Sequence, residues 1–135
     1  LRIAAEDLEA ARLLAAHGNR NAVYCCQQAA EKTIRAVLTA EGLHAGIRHD
    51  LAEMVDLVPD ANPLKDRLRD VEELGAFATT FRYPTPSGRI PSVPTFEDLS
   101  RRILAVETLL RAAVAGFGVE LEAVGRPAAS PSPLR

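Results

Sequence analysis

A chain of 135 residues has the length of one domain, and 47% hydrophobic and 25% charged residues are the proportions of an ordinary globular protein. The 16 basic and 18 acidic residues leave a net charge of −2, which argues against a broad basic surface for nucleic acid. No apolar run approaches the roughly 20 residues that span a bilayer, and Glu6, Asp7 and Glu9 interrupt any signal-peptide pattern. We therefore expect a cytoplasmic protein without a membrane segment.

The only two cysteines, Cys25 and Cys26, are adjacent. On a helix their side chains diverge by about 100°, so a disulfide between them would be severely strained. No CxxC motif or Cys/His pairing accompanies them. We therefore predict no metal site and no cofactor, and interpret both cysteines as small hydrophobic residues in a reducing compartment.

Glycine and proline divide the chain into five segments in which apolar residues recur with a helical period. The predicted helices cover about residues 4–17, 20–41, 50–57, 62–80 and 95–117. No run of β-branched residues alternates with polar ones, so a sheet is not expected. The sequence predicts an all-α fold, an up-and-down antiparallel four-helix bundle with an additional short helix. We assign residues 1–124 to this bundle and predict a disordered tail over 125–135.

The second helix carries the most information. Its small and aliphatic residues cover well over half of its circumference, which is typical of a helix in the centre of a bundle. What remains is a narrow polar strip, which consists of Tyr24, Gln28, Glu31, Lys32 and Arg35. Elsewhere, Asp50 and Thr95 are predicted N-caps, and the proline-rich connection 84–94 is long enough to suggest a functional role that the sequence does not specify.

The stretch Gln27-Gln28-Ala29-Ala30-Glu31-Lys32, followed by Arg35-Ala36-Val37-Leu38, closely resembles the second helix of HEPN domains. The later motifs His49-Asp50-Leu51 and Phe81-Arg82-Tyr83-Pro84 follow in the same order, and the resemblance covers about residues 4–117. It implies a helical bundle that usually pairs as a homodimer. HEPN proteins include ribonuclease toxins of toxin–antitoxin systems, small partners of minimal nucleotidyltransferases, and modules for which nucleotide binding has been proposed. Fold alone does not choose among these roles.

The ribonuclease members of the family place a histidine four to six residues after an arginine. The resemblance puts that arginine at Arg82, but residues 85–88 read Thr-Pro-Ser-Gly, and no histidine follows His49. Arg12 and His17 have a matching spacing, but they lie on the first helix and would diverge by about 140°. We therefore interpret the ribonuclease site as absent, and RNA is not the favoured partner.

The candidate ligand-binding residues are Gln28, Glu31, Lys32, Arg35, His49, Arg82 and Tyr83. If the polar strip meets Arg82 and Tyr83 beside the proline-rich connection, the cations, amide and phenol would suit an anionic, planar ligand such as a nucleotide. A purely structural interpretation stays open: Glu31 and Arg35 form an exposed i,i+4 pair, His49 packs locally, and Arg82 caps a helix end or pairs with Glu31.

Three functions follow from these observations. The first is a non-catalytic, homodimeric HEPN binding module that is paired with a nucleotidyltransferase chain. The second is a HEPN ribonuclease whose site departs from the family pattern. The third is a structural dimer without a ligand.

Overall fold

The structure is a computed structural model, and it describes residues 1–78 and 83–121. Its regular elements are five α-helices and one 3₁₀ helix: α1 (Arg2–Ala16), α2 (Asn21–Ala40), α3 (Leu51–Leu57), α4 (Lys65–Arg69), the 3₁₀ helix (Glu72–Phe77) and α5 (Phe96–Phe117). The described residues contain no strand, so the predicted all-α fold is confirmed. The predicted domain boundary at residue 124 and the tail 125–135 lie outside the described residues.

Helix α2 lies at the centre of the bundle, as its composition predicts. It packs against α1, α3, α5 and the 3₁₀ helix. Its inward faces consist of small or aliphatic residues that are fully or almost fully buried, among them Ala22, Cys26, Ala29, Ala30, Ile34, Val37 and Leu38. Short side chains allow neighbouring backbones to approach closely, and α1 presents the matching buried residues Ala4, Ala11 and Ala15.

The three long helices α1, α2 and α5 all pack against one another. Only four residues join α1 to α2, so the two helices run in opposite directions. The start of α1 and the end of α5 line one groove through Leu1 and Phe117, while Ala15 and Phe96 line a pocket at the other end. Helix α1 is therefore antiparallel to both α2 and α5. None of the described helices is long and apolar enough to cross a bilayer.

The predicted fourth helix over 62–80 is wrong in its extent. Helix α4 covers five residues, and the 3₁₀ helix follows after a break at Asp70 and Val71. The buried residues Leu68, Val71 and Leu74 recur at every third position. A 3₁₀ helix has three residues per turn and places such residues in one line, whereas an α-helix would spread these three over about 120° of its circumference. Residues 79 and 80 of the predicted helix lie outside the part that the structure describes.

Lys65, the first residue of α4, is buried and holds α4 against α3. Its Nζ donates to the carbonyl oxygen of Val55 at 2.6 Å and also to that of Val58, and Asp60 lies 3.6 Å away. These carbonyls belong to the end of α3, where backbone acceptors lack helical partners and where a cation is favoured by the helix dipole. The lysine thus caps α3 from a neighbouring helix.

Two predicted helix starts are confirmed by their hydrogen bonds. The Asp50 carboxylate accepts from the backbone N–H of Glu53 at 3.0 Å, and Thr95 Oγ1 accepts from that of Asp98 at 3.2 Å. Helix α5 ends at Gly118, which has a φ of +62°, the left-handed conformation that glycine adopts without a Cβ clash. Asp50 and Thr95 thereby fix the residues at which α3 and α5 begin.

Candidate functional site

The polar strip of α2 is not a solvated face. Tyr24, Gln28, Lys32 and Arg35 are only partly exposed, and Glu31 is 7% exposed. A buried carboxylate needs several hydrogen-bond donors to remain charged, so the surroundings of Glu31 determine what this strip can do.

Glu31 lies at the centre of a hydrogen-bonded cluster. Its Oε2 accepts from Gln27 Nε2 at 3.1 Å, and its Oε1 accepts from Arg35 Nε at 3.1 Å. His49 Nδ1 lies 3.3 Å from the same Oε1, and Gln28 Nε2 donates to Gln27 Oε1 at 2.7 Å. We call these five residues the Glu31 cluster. The cluster brings together four of the predicted site residues, on α2 and on the connection from α2 to α3.

The environment of Glu31 keeps it ionised. Burial raises the pKa of the Glu31 carboxyl, but the hydrogen bonds from Gln27, Arg35 and His49, together with the charge of Arg35, outweigh burial and hold this pKa below its usual range. A carboxyl whose pKa is lower in the folded state stabilises the fold above its unfolded pKa. That stabilisation disappears as the pH falls through the folded value.

We therefore expect Glu31 to stabilise the fold above its unfolded pKa of about 4.3, and this contribution to disappear as the pH falls through the lower folded value. The measurement is urea unfolding at a series of pH values for the natural chain, Glu31→Gln and the control Glu9→Gln, which changes an exposed glutamate on α1. Glu31→Gln should unfold more readily at pH 7 and lose less stability on acidification, whereas Glu9→Gln should follow the natural chain. Identical pH profiles for the natural chain and Glu31→Gln would contradict this role.

Arg35 connects the cluster to the backbone of the connection between α2 and α3. Its Nη1 donates to the carbonyl oxygen of Gly46 at 3.2 Å, and its Nη2 donates to that of Arg48 at 2.5 Å. The same Nη2 lies 3.0 Å from Glu31 Oε1. A guanidinium offers five N–H donors in a rigid fork, and here they bind one carboxylate and two carbonyls. This geometry makes Arg35 a structural clamp between α2 and the connection.

Lys32 does not join the Glu31 cluster. Its Nζ forms a salt bridge with Asp7 on α1, so the predicted convergence of Lys32 with Arg35 is replaced by two separate interactions. Lys32 instead lines a groove of about 770 Å³ between the start of α1 and the ends of α2 and α5. The apolar residues that line this groove include Leu1, Ile3, Ala36, Ala40, Phe117, Val119 and Leu121.

Two further predicted site residues, Arg82 and Tyr83, directly precede the proline-rich connection in the sequence. Arg82 is outside the described residues. Tyr83 is described and is 65% exposed. The connection that follows is ordered by a turn in which Thr85 Oγ1 accepts from the backbone N–H of Arg89 at 3.0 Å. Arg20 Nη2 donates to the carbonyl oxygen of Pro91 at 3.3 Å, which ties the connection to the turn between α1 and α2.

Sequence reasoning missed two members of these networks, Gln27 and Asp7. Gln27 is completely buried, and its only signal is the i,i+4 spacing from Glu31, which places both side chains on one side of the helix. Asp7 lies on another helix, 25 positions before Lys32, and spacing along the chain gives no signal for such a pair.

Cys26 is buried in the core, and Cys25 is partly buried beside it. Burial raises the pKa of the Cys26 thiol to about 12, and it also raises the pKa of the Cys25 thiol. Both are free thiols, and at neutral pH neither is activated as a nucleophile. Within residues 1–78 and 83–121, no three His, Cys, Asp or Glu side chains are placed to share a metal ion.

Comparison with known proteins gives one finding. The sequence model of the HEPN domain matches residues 1–117, which include all the helices described above. Neither the curated proteins nor the solved structures provide a match. Since the matched region covers most of the 135 residues, the chain belongs to the HEPN domain family.

Proposed function

We propose that this chain is a non-catalytic HEPN binding module that acts as a homodimer in the cytoplasm, where free thiols such as Cys25 and Cys26 persist. The observation that carries the proposal is that the cations of the polar strip are bound by groups of the chain itself. Arg35 is bound to Glu31 and two backbone carbonyls, and Lys32 is bound to Asp7. These cations support the bundle, and their charges are already matched before any substrate arrives.

The sequence around Arg82 supports a role without catalysis. Ribonuclease chemistry of this family combines a guanidinium, which stabilises the negative charge of the transition state, with an imidazole that moves a proton. No histidine follows Arg82 in the chain. His49, the histidine nearest to Arg82 in sequence, lies 3.3 Å from the Glu31 carboxylate.

We expect the purified protein to leave labelled RNA intact in the presence of a metal chelator. The measurement is gel analysis of RNA incubated with the natural chain, Arg82→Ala and the control Arg89→Ala, which changes an exposed arginine seven positions away. Cleavage by the natural chain and by Arg89→Ala, but not by Arg82→Ala, would contradict the non-catalytic proposal and favour a ribonuclease with a divergent site.

For the ligand we propose a nucleotide. Its contacts would come from Gln28, His49, Arg82 and Tyr83, while Glu31 and Arg35 form the frame beside which Gln28 and His49 are held. His49 supports this assignment because its side chain is 75% exposed although it lies beside a buried carboxylate. A ring held at one nitrogen and open to solvent elsewhere is available to an anionic or planar ligand.

Thermal unfolding tests the nucleotide proposal. A nucleotide at a hundredfold its Kd adds about 2.7 kcal/mol to the stability of the folded state, which for a domain of this size raises Tm by roughly 8 °C. We expect such a shift with at least one of AMP, ADP, ATP, GMP or GTP, and its loss in Arg82→Ala but not in Arg89→Ala. Equal melting temperatures with and without every nucleotide would favour a structural dimer.

For the partner chain we propose a nucleotidyltransferase, because small HEPN proteins include partners of such enzymes and this chain belongs to the family. Coexpression with a nucleotidyltransferase encoded beside it, followed by size-exclusion chromatography, tests the pairing. Separate elution of the two chains would remove this part of the proposal and leave the homodimer.

A further inference from the structure

The connection from α2 to α3 contains a fixed turn that presents one isoleucine to solvent. The turn consists of residues 45–48, and the backbone N–H of Arg48 donates to the carbonyl oxygen of Ala45 at 3.3 Å. Gly46 has a φ of +61°, which favours glycine, and Ala45 is 5% exposed. Ile47, in contrast, is 94% exposed, more than any other large hydrophobic residue that the structure describes.

The backbone on both sides of Ile47 is held from the core. Arg35 donates to the carbonyl oxygens of Gly46 and Arg48, the two residues that flank Ile47. Glu31, which is 7% exposed, holds Arg35 in turn. In a single copy this arrangement orders the turn without burying Ile47, although burial of an isoleucine side chain is strongly favourable. Single exposed apolar residues are common, but here one guanidinium holds the backbone on both sides of the residue.

The charges around Ile47 are of both signs. Arg48 Nε lies 3.9 Å from Glu53 Oε2, and these side chains are 49% and 65% exposed, so their interaction within one copy is weak. Asp50 is also exposed. An interface around a twofold axis brings the same surface of both copies together, so it must be complementary to itself. An exposed isoleucine flanked by charges of both signs meets that requirement, and charge complementarity therefore favours a second copy of this chain.

We propose that the turn 45–48 is a contact between two copies of this chain, in which Ile47 packs against the same turn of the second copy and Arg48 pairs with the second copy's Glu53. This inference rests on the proposed homodimer and specifies its interface. The Glu31 cluster then has a second role, because it sets the position of the residue that the two copies share.

Analytical ultracentrifugation of the natural chain, Ile47→Asp and Ile90→Asp tests the interface. Ile90 is a matched control because it is also an exposed isoleucine, 66% exposed, on another connection. We expect Ile47→Asp to raise the dimer Kd on the order of a hundredfold, about tenfold for each copy, with unchanged Tm for the isolated subunit. Ile90→Asp should associate like the natural chain.

A charge exchange provides a second measurement that does not depend on Ile47. Arg48→Glu alone should weaken the dimer, and Arg48→Glu combined with Glu53→Arg should restore it, because the pair is re-formed across the interface. A natural chain that remains monomeric at about 100 μM, far above the Kd of a specific dimer, would overturn the homodimer itself. A dimer that Ile47→Asp leaves intact would overturn only this interface.

Discussion

Replacing Arg35 with alanine is expected to lower the free energy of unfolding by about 3 kcal/mol. The change removes two donors from the Glu31 carboxylate and leaves the carbonyls of Gly46 and Arg48 without the guanidinium. The cost is large because Glu31 is buried and would keep its charge with fewer partners. Urea or guanidinium unfolding followed by circular dichroism gives this free energy.

The matched control for Arg35 is Arg111→Ala. Arg111 also forms an i,i+4 pair with a glutamate, Glu107, at 2.7 Å, but its side chain is 79% exposed, compared with 31% for Arg35. An exposed pair of this kind contributes less than about 0.5 kcal/mol. Arg35→Lys should fall between the natural chain and Arg35→Ala, because an ammonium does not reproduce the fork of the guanidinium. Equal losses for Arg35→Ala and Arg111→Ala would show that the Glu31 cluster contributes little.

Replacing Lys65 with methionine is expected to lower the free energy of unfolding by about 2 kcal/mol. Methionine retains the aliphatic length of the side chain but cannot donate to the carbonyls of Val55 and Val58. The carbonyl groups at the end of α3 would lose charged hydrogen bonds, each of which contributes more than a neutral one. The same unfolding experiment measures the effect.

Arg67→Met is the control for Lys65, because Arg67 lies on the same short helix and is exposed. Surface substitutions away from special contacts change stability by no more than about 0.5 kcal/mol. If Lys65→Met is as stable as the natural chain, then burial of the methionine compensates fully for the lost hydrogen bonds, and the lysine is not a cap that the fold requires.

The three long helices could be predicted closely from the sequence because their signals are local. Alanine and aliphatic residues at helical spacing define α1 and α2, and the Thr95 cap defines the start of α5. The segment over 62–78 could not be predicted in the same way. Leu64 and Leu68 follow an α-helical spacing, but Leu68, Val71 and Leu74 follow a spacing of three, and only the packing against α2 and α3 decides between them.

The candidate site was predicted only in part for a similar reason. The pairing of Glu31 with Arg35 follows from their i,i+4 spacing. The partners of Arg35 at Gly46 and Arg48 are backbone carbonyls. Every residue carries a carbonyl group, so the sequence cannot show which of them accept these hydrogen bonds. Nor does the sequence show that Lys32 turns towards Asp7, because that choice depends on how α1 lies against α2.

The 3₁₀ helix has a consequence for how the molecule opens. Its i,i+3 hydrogen bonds have poorer geometry than those of an α-helix, and it lies between the five-residue α4 and residues outside the described chain. Amide hydrogens of residues 72–77 should therefore exchange with solvent deuterium sooner than those in the middle of α2 and α5. Local opening would then begin on the α3–α4 side of the bundle, and the alanine-rich contact between α1 and α2 would persist longest.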